Sequence, residues 1–161
     1  MRSVGFSLIE LAFCVVLLFI SLRFSIPAMA GSPSTALGWV AGALVVHFIV
    51  SGVTLERSAL SPQAGHEWRD GLTCLSAITI LSLAPLALGA VLLLRGLLTR
   101  LLPAFLLTGL ACGLAAEATW RLHCAYSTWG HVLPFHTGAL VLPLLVASAA
   151  AMSVGRRATS S

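Results

Sequence analysis

Long apolar runs alternate with short polar breaks along this chain. Crossing the hydrocarbon of a bilayer takes about 20 apolar residues in helix. Five segments reach that length, at about 6–26, 37–55, 72–94, 101–118 and 133–154. Helix is the expected form, because a helix satisfies its own backbone N–H and C=O groups where water cannot. The breaks agree with these limits. Pro27, Gly31, Ser32 and Pro33 follow the first run, and a polar connection with Pro62 and Gly65 follows the second. Arg95, Gly96 and Arg100 predict a tight turn, with Pro103 in the first turn of the next helix. Trp120 to Gly130 reads as an interfacial loop, and Gly155–Ser161 as a polar tail. The predicted fold is all-α: one polytopic membrane domain over residues 1–161, with five transmembrane helices. The first run is too long for a cleaved signal peptide and is followed by further spans.

Composition removes the soluble alternative. Apolar residues make up 58% of the chain and charged residues 9%, whereas a water-soluble domain carries about 25% charged residues. The formal charge of +4 sets nine arginines against five acidic residues, and the arginines sit singly or in pairs at the ends of apolar runs. No basic stripe interleaved with aromatics exists, so nucleic acid is not a predicted partner; the lipid bilayer is. With five spans the termini face opposite sides. A cytoplasmic C-terminus puts Arg23, Arg95, Arg100, Arg156 and Arg157 inside, and Arg2, Arg57, Arg69 and Arg121 outside. Five against four favours this orientation by the positive-inside rule.

Small and interrupting residues carry expectations about packing. Gly38-x-x-x-Gly42 and Gly109-x-x-x-Gly113 are candidate close helix contacts. Pro85 and Pro143 lie inside spans, where static packing is the expected role. Trp68, Trp120, Tyr126 and Trp129 form a predicted aromatic belt on one side, and Trp39 anchors the other.

The residues able to carry chemistry gather late in the chain. Histidines occur at 47, 66, 123, 131 and 136, and cysteines at 14, 74, 112 and 124. Imidazole with thiolate suits copper or zinc. The candidate set is Cys74, Cys124, His123, His131 and His136, with Glu117 and His66 as accessory residues. On one regular helix His131 and His136 diverge by about 140°, so they converge only if His131 precedes the helix. Span counting puts Cys74 and Cys124 on the same side of the membrane, as a disulfide pair, a shared metal site or two unrelated residues. Cys14 and Cys112 fall mid-span and read as packing residues. Glu10 and Arg23 lie near opposite ends of the first span and are expected to snorkel to the interfaces. Glu117 is placed to pair with Arg121 at i+4, or to act as a carboxylate ligand. No nucleotide loop, zincin helix or serine elbow occurs, so no enzyme is predicted.

One resemblance extends this reading. The order Gly71-Leu72-Thr73-Cys74-Leu75, then Leu94-Arg95-Gly96, Pro103, the segment Gly109 to Ala116 and Leu122-His123-Cys124 resembles the NrsF-type membrane proteins. So does the piece Phe6 to Pro27, with Glu10 and Ser25-Ile26-Pro27. Those proteins are negative regulators of sigma-F-like extracytoplasmic-function (ECF) sigma factors. The resemblance implies an anti-sigma regulator in a bacterial inner membrane, with an ECF sigma factor as partner. It also implies that Cys74 and Cys124 face outward and sense metal or oxidative stress. The family's N-terminal cytoplasmic segment and first span have no counterpart here. The expectation is therefore a truncated relative, or a true start upstream of Met1. Two other classes stay open. One is a haem- or copper-binding subunit of a membrane redox enzyme or transporter, with His47 and His136 as intramembrane histidines. The other is a structural membrane subunit.

Overall fold

The structure is a computed structural model and describes residues 2–24, 26, 32–55, 67–95, 100–124 and 128–159. Among these, five helices are long and apolar enough to cross a membrane, and no strand occurs. They are α1 (Arg2–Phe24), α2 (Pro33–Leu55), α3 (Glu67–Arg95), α4 (Leu101–Arg121) and α5. Helix α5 opens with one turn at Trp129–His131, widens to a π-helix over Val132–Thr137, and continues as α-helix over Gly138–Thr159. The fold is thus an all-α, multi-pass membrane bundle. Several helices begin earlier or end later than the apolar runs alone suggest. Trp120, Arg121, Trp129 and Gly130 belong to helices rather than to the predicted loop. Tyr126, Arg57, His66 and the turn after Arg95 lie outside the described residues.

Helix α4 is the centre of the bundle. Of its span, 72% is buried, against at most 33% for any other helix. Its sequence explains the placement. Ala104, Gly109, Ala111, Gly113, Ala116 and Ala118 are small and buried, so neighbouring backbones can approach on all sides. Lipid offers no hydrophobic drive between helices, and close packing of small residues takes its place. The outer helices turn their large apolar side chains outward, among them Val15, Phe19, Ile49, Ile80, Leu88 and Leu145.

The two glycine pairs differ. A Cβ on Gly109 would lie 2.8 Å from Ala147 Cβ and 2.9 Å from the Pro143 carbonyl oxygen, so α4 and α5 meet there. A Cβ on Gly38 or Gly42 would meet nothing within 4 Å, so that pair makes no helix contact among the described residues. Helices α3 and α5 run through Pro85 and Pro143. Ser21 of α1 donates its hydroxyl to the Ala104 carbonyl (2.8 Å) and pairs with the Thr108 hydroxyl (2.7 Å). Trp39 is half-buried against the core, together with the buried Cys14 and Cys112.

Candidate metal centre

Because successive spans alternate in direction, the start of α3, the end of α4 and the start of α5 share one end of the bundle. Cys74 is buried near the start of α3. Cys124 follows α4, in a turn held by backbone bonds to the Trp120 carbonyl from His123 N–H (2.9 Å) and Cys124 N–H (3.0 Å). The two sulfurs lie 3.5 Å apart as free thiols. His131 is fully buried at the end of the first turn of α5, its Nε2 3.5 Å from Cys124 Sγ.

The π-helical segment supplies the fourth group. Its i→i+5 bonding widens the turn, so residues five apart are offset by about 50° instead of the about 140° of an α-helix. His131 and His136 accordingly face the same way, with ring centroids 5.4 Å apart. The expectation that they diverge unless His131 precedes the helix is corrected: His131 is helical, and the widened turn brings the rings together. Pro134 gives the local reason. Having no N–H, it cannot bond the carbonyl four residues back, and its ring would collide with that carbonyl in a regular α-turn.

One ligand atom from each of Cys74, Cys124, His131 and His136 lies within 4.8 Å of the other three. Tetrahedral zinc, with Zn–S near 2.3 Å and Zn–N near 2.0–2.1 Å, spaces two sulfurs about 3.8 Å apart and sulfur from nitrogen about 3.6 Å. The two separations of 3.5 Å match that geometry to within a few tenths of an ångström. Two thiolates and two imidazoles suit Zn(II) or Cu(I).

A carboxylate stands behind the ligands. His136 Nδ1 is 3.2 Å from Glu117 Oε1. The same oxygen accepts from Arg121 Nε (2.8 Å) and Nη2 (2.6 Å), and Nη2 also donates to Ser51 Oγ (3.0 Å). A neutral imidazole donating from Nδ1 keeps a lone pair on Nε2. His136 Nε2 is buried and has no hydrogen-bond partner among the described residues, so it is the nitrogen left for an ion. Carboxylate, imidazole and ion in sequence is the usual outer shell of a histidine-ligated metal. Apolar walls complete the site. Phe135 lies against the backbone of Gly71, where no Cβ would fit, and packs edge-on to Trp68 at 5.3 Å.

The structure brings together four of the five leading candidates and leaves one out. His123 is exposed; its Nδ1 meets the Thr119 carbonyl at 3.2 Å and its ring stacks on Trp120. Glu117 meets Arg121 and His136 rather than the sulfurs. His66 lies outside the described residues. Glu10 is a further correction. It does not snorkel but is buried, with Oε1 3.1 Å from His47 Nδ1 and 3.7 Å from Arg121 Nη2. His47 is also fully buried, and its Nε2 meets Thr137 Oγ1 at 3.1 Å. Both ring nitrogens of His47 are therefore engaged, including the one a haem iron would need. Sequence reasoning singled out His47 only for a haem- or copper-binding alternative and missed Glu10 and Thr137 as site residues. The available signal was ionisable groups inside apolar runs, which are costly unless partnered.

No family model matches this chain, and no curated protein or solved structure matches it.

Proposed function

We propose that this protein is a membrane-embedded sensor of the NrsF type. In this reading it binds a soft or borderline ion, Zn(II) or Cu(I), at the outer face of a bacterial inner membrane and regulates an ECF sigma factor. The observation that carries the metal reading is the convergence of Cys74, Cys124, His131 and His136 within 4.8 Å. These ligands come from α3, from the turn after α4 and from α5. An ion would draw the three together and bias how the outer helices pack on α4, the two-state element a switch requires. The sigma-factor partner and the orientation rest on the resemblance and the arginine count.

The thiol separation favours a second stimulus at the same site. A disulfide needs sulfurs about 2.0 Å apart, so the pair has to close by about 1.5 Å. The two thiols would give up two protons and two electrons to a two-electron oxidant such as a peroxide.

The metal test is Co(II) titration of the purified chain in detergent. Thiolate-to-Co(II) charge transfer should appear at one equivalent and vanish in Cys74→Ser and Cys124→Ser. Its absence from the native chain sinks the metal reading. In cells, a sigma-dependent reporter should lose its response to zinc, copper or peroxide in both variants. An unchanged response removes the sensor role. A fusion at Gly65 should report a periplasmic location and one after Arg157 a cytoplasmic one; the reverse overturns the orientation.

A further inference from the structure

We infer that Glu10, His47 and Glu117 form a second cation site, deeper in the bundle and chemically distinct from the thiolate site. One ligand atom from each lies within 4.8 Å of the other two. His47 Nδ1 is 3.1 Å from Glu10 Oε1 and 3.8 Å from Glu117 Oε2. The side chains are 2%, 0% and 0% exposed for Glu10, His47 and Glu117. Three helices contribute, α1, α2 and α4, so the chain has to fold before the site exists.

Two buried oxygens point to a ligand. Glu10 Oε2 and Glu117 Oε2 have no hydrogen-bond partner among the described residues. A carboxylate oxygen stripped of water and left unpaired is expensive, more so inside a membrane. Charge points the same way. Arg121 is committed to Glu117 Oε1 at 2.6 Å and reaches Glu10 Oε1 only at 3.7 Å. With both carboxylates ionised, one guanidinium leaves one negative charge in excess.

A proton on His47 would cancel that charge without serving these oxygens. Its Nδ1–H would go to Glu10 Oε1, and Nε2 already faces Thr137. A metal cation supplies the missing positive charge and also serves Glu117 Oε2, the orphaned oxygen that faces His47. With Nε2–H donated to Thr137 Oγ1, Nδ1 turns a lone pair toward Glu10 Oε1 at 3.1 Å, and an ion seated between them would be held by both, with Thr137 as the outer-shell partner that orients the ring. Metal–nitrogen and metal–oxygen bonds of 2.0–2.2 Å space neighbouring ligand atoms about 2.9 Å apart at right angles and about 3.4 Å at tetrahedral angles. The separation of 3.1 Å falls inside that range, and 3.8 Å lies a few tenths beyond it. One imidazole and two carboxylates suit a divalent ion harder than the thiolate site prefers, such as Mn(II). Glu117 joins the sites, with Oε1 on His136 and Oε2 facing His47.

The probe is Mn(II), which thiolates bind poorly, added to the full chain carrying Cys74→Ser and Cys124→Ser. Loss of the aqueous Mn(II) electron paramagnetic resonance signal should report one bound ion per chain. Adding Glu10→Gln or His47→Gln on that background should weaken binding about tenfold or more, and Leu145→Ala on the lipid face should not. No bound Mn(II) in the folded serine variant overturns the second site, as does binding indifferent to Glu10 and His47. The native chain gives a second measure should the serine variant not fold. It should hold two equivalents of Co(II), only one of them with a thiolate charge-transfer band. One equivalent, carrying that band, refutes the inner site and leaves the outer one standing. One equivalent without it does the reverse.

Discussion

Glu117 Oε1 accepts from His136 Nδ1 at 3.2 Å while held by Arg121 Nη2 at 2.6 Å. The carboxylate therefore orients the imidazole through an ion pair that spans one helical turn of α4. Glu117→Gln keeps the shape but removes the charge that holds the Nδ1–H tautomer. Loss of such outer-shell partners costs about 10–100-fold in metal affinity. Zinc competition on the purified variant should show a loss in that range, with the thiolate-to-Co(II) band retained at saturation. Arg121 keeps Glu10 within 3.7 Å, so the variant should still fold. Unchanged zinc affinity would remove Glu117 from the centre.

The four cysteines should divide into two classes under oxidation. Cys74 and Cys124 are 3.5 Å apart at one end of the bundle, while Cys14 and Cys112 are buried in the core. Peroxide should convert the first pair to a disulfide and leave the second pair as thiols. Mass spectrometry after alkylation in denaturant should find two labels instead of four, at Cys14 and Cys112. Prior loading with Zn(II) should slow the reaction, because metal-bound thiolates are shielded from attack. Equal labelling of all four after peroxide would remove the oxidative reading.

Apolar runs of spanning length made the five helices legible, and their alternation placed Cys74 and Cys124 at the same end. Periodicity could not reveal that His131 and His136 meet, because their approach depends on a π-turn, whereas helical reading assumes one fixed angle per residue. Pro134 was visible in the sequence as an interruption, but not its effect on the two rings. Glu10 was hidden for another reason. Near a span end, a long acidic side chain can reach water or turn inward, and Ser7, Cys14 and Ser21, which share its face of α1, are too small and weakly polar to mark the choice. Only α2 and α4 packing against it, with His47 and Arg121 waiting, decides the direction.

Gly109 and Gly42 offer a paired test of the packing. An alanine methyl at 109 would meet Ala147 Cβ at 2.8 Å and the Pro143 carbonyl oxygen at 2.9 Å. Neither neighbour is the free end of a flexible side chain, so helices α4 and α5 have to separate. Overpacking of this kind costs about 1–3 kcal/mol. Gly42→Ala meets nothing within 4 Å, and should stay within about 0.5 kcal/mol of the native chain. Unfolding in mixed micelles measures both. Equal stabilities would argue that α4 and α5 do not pack as described.

Pro134 should control the metal centre without touching the ion. In the π-helical turn it spares a backbone hydrogen bond, and the wider turn brings the His136 ring within 5.4 Å of the His131 ring. Pro134→Ala restores the N–H and removes the ring, so a regular α-turn becomes available. In that turn the two histidines point about 140° apart, and one of them leaves the site. Cys74 and Cys124 stay together, since neither depends on α5. The variant should therefore keep its thiolate-to-Co(II) band but bind zinc at least about tenfold more weakly, since losing even a group that only orients a ligand costs about 10–100-fold. Its ligand-field spectrum should shift as one nitrogen is replaced by water. The added backbone hydrogen bond should leave the unliganded bundle as stable as the native chain or more so, which separates a lost ligand from a damaged fold. Native zinc affinity in Pro134→Ala would mean that the turn forms without the proline and that its cause lies elsewhere, in the packing of Phe135 against Gly71.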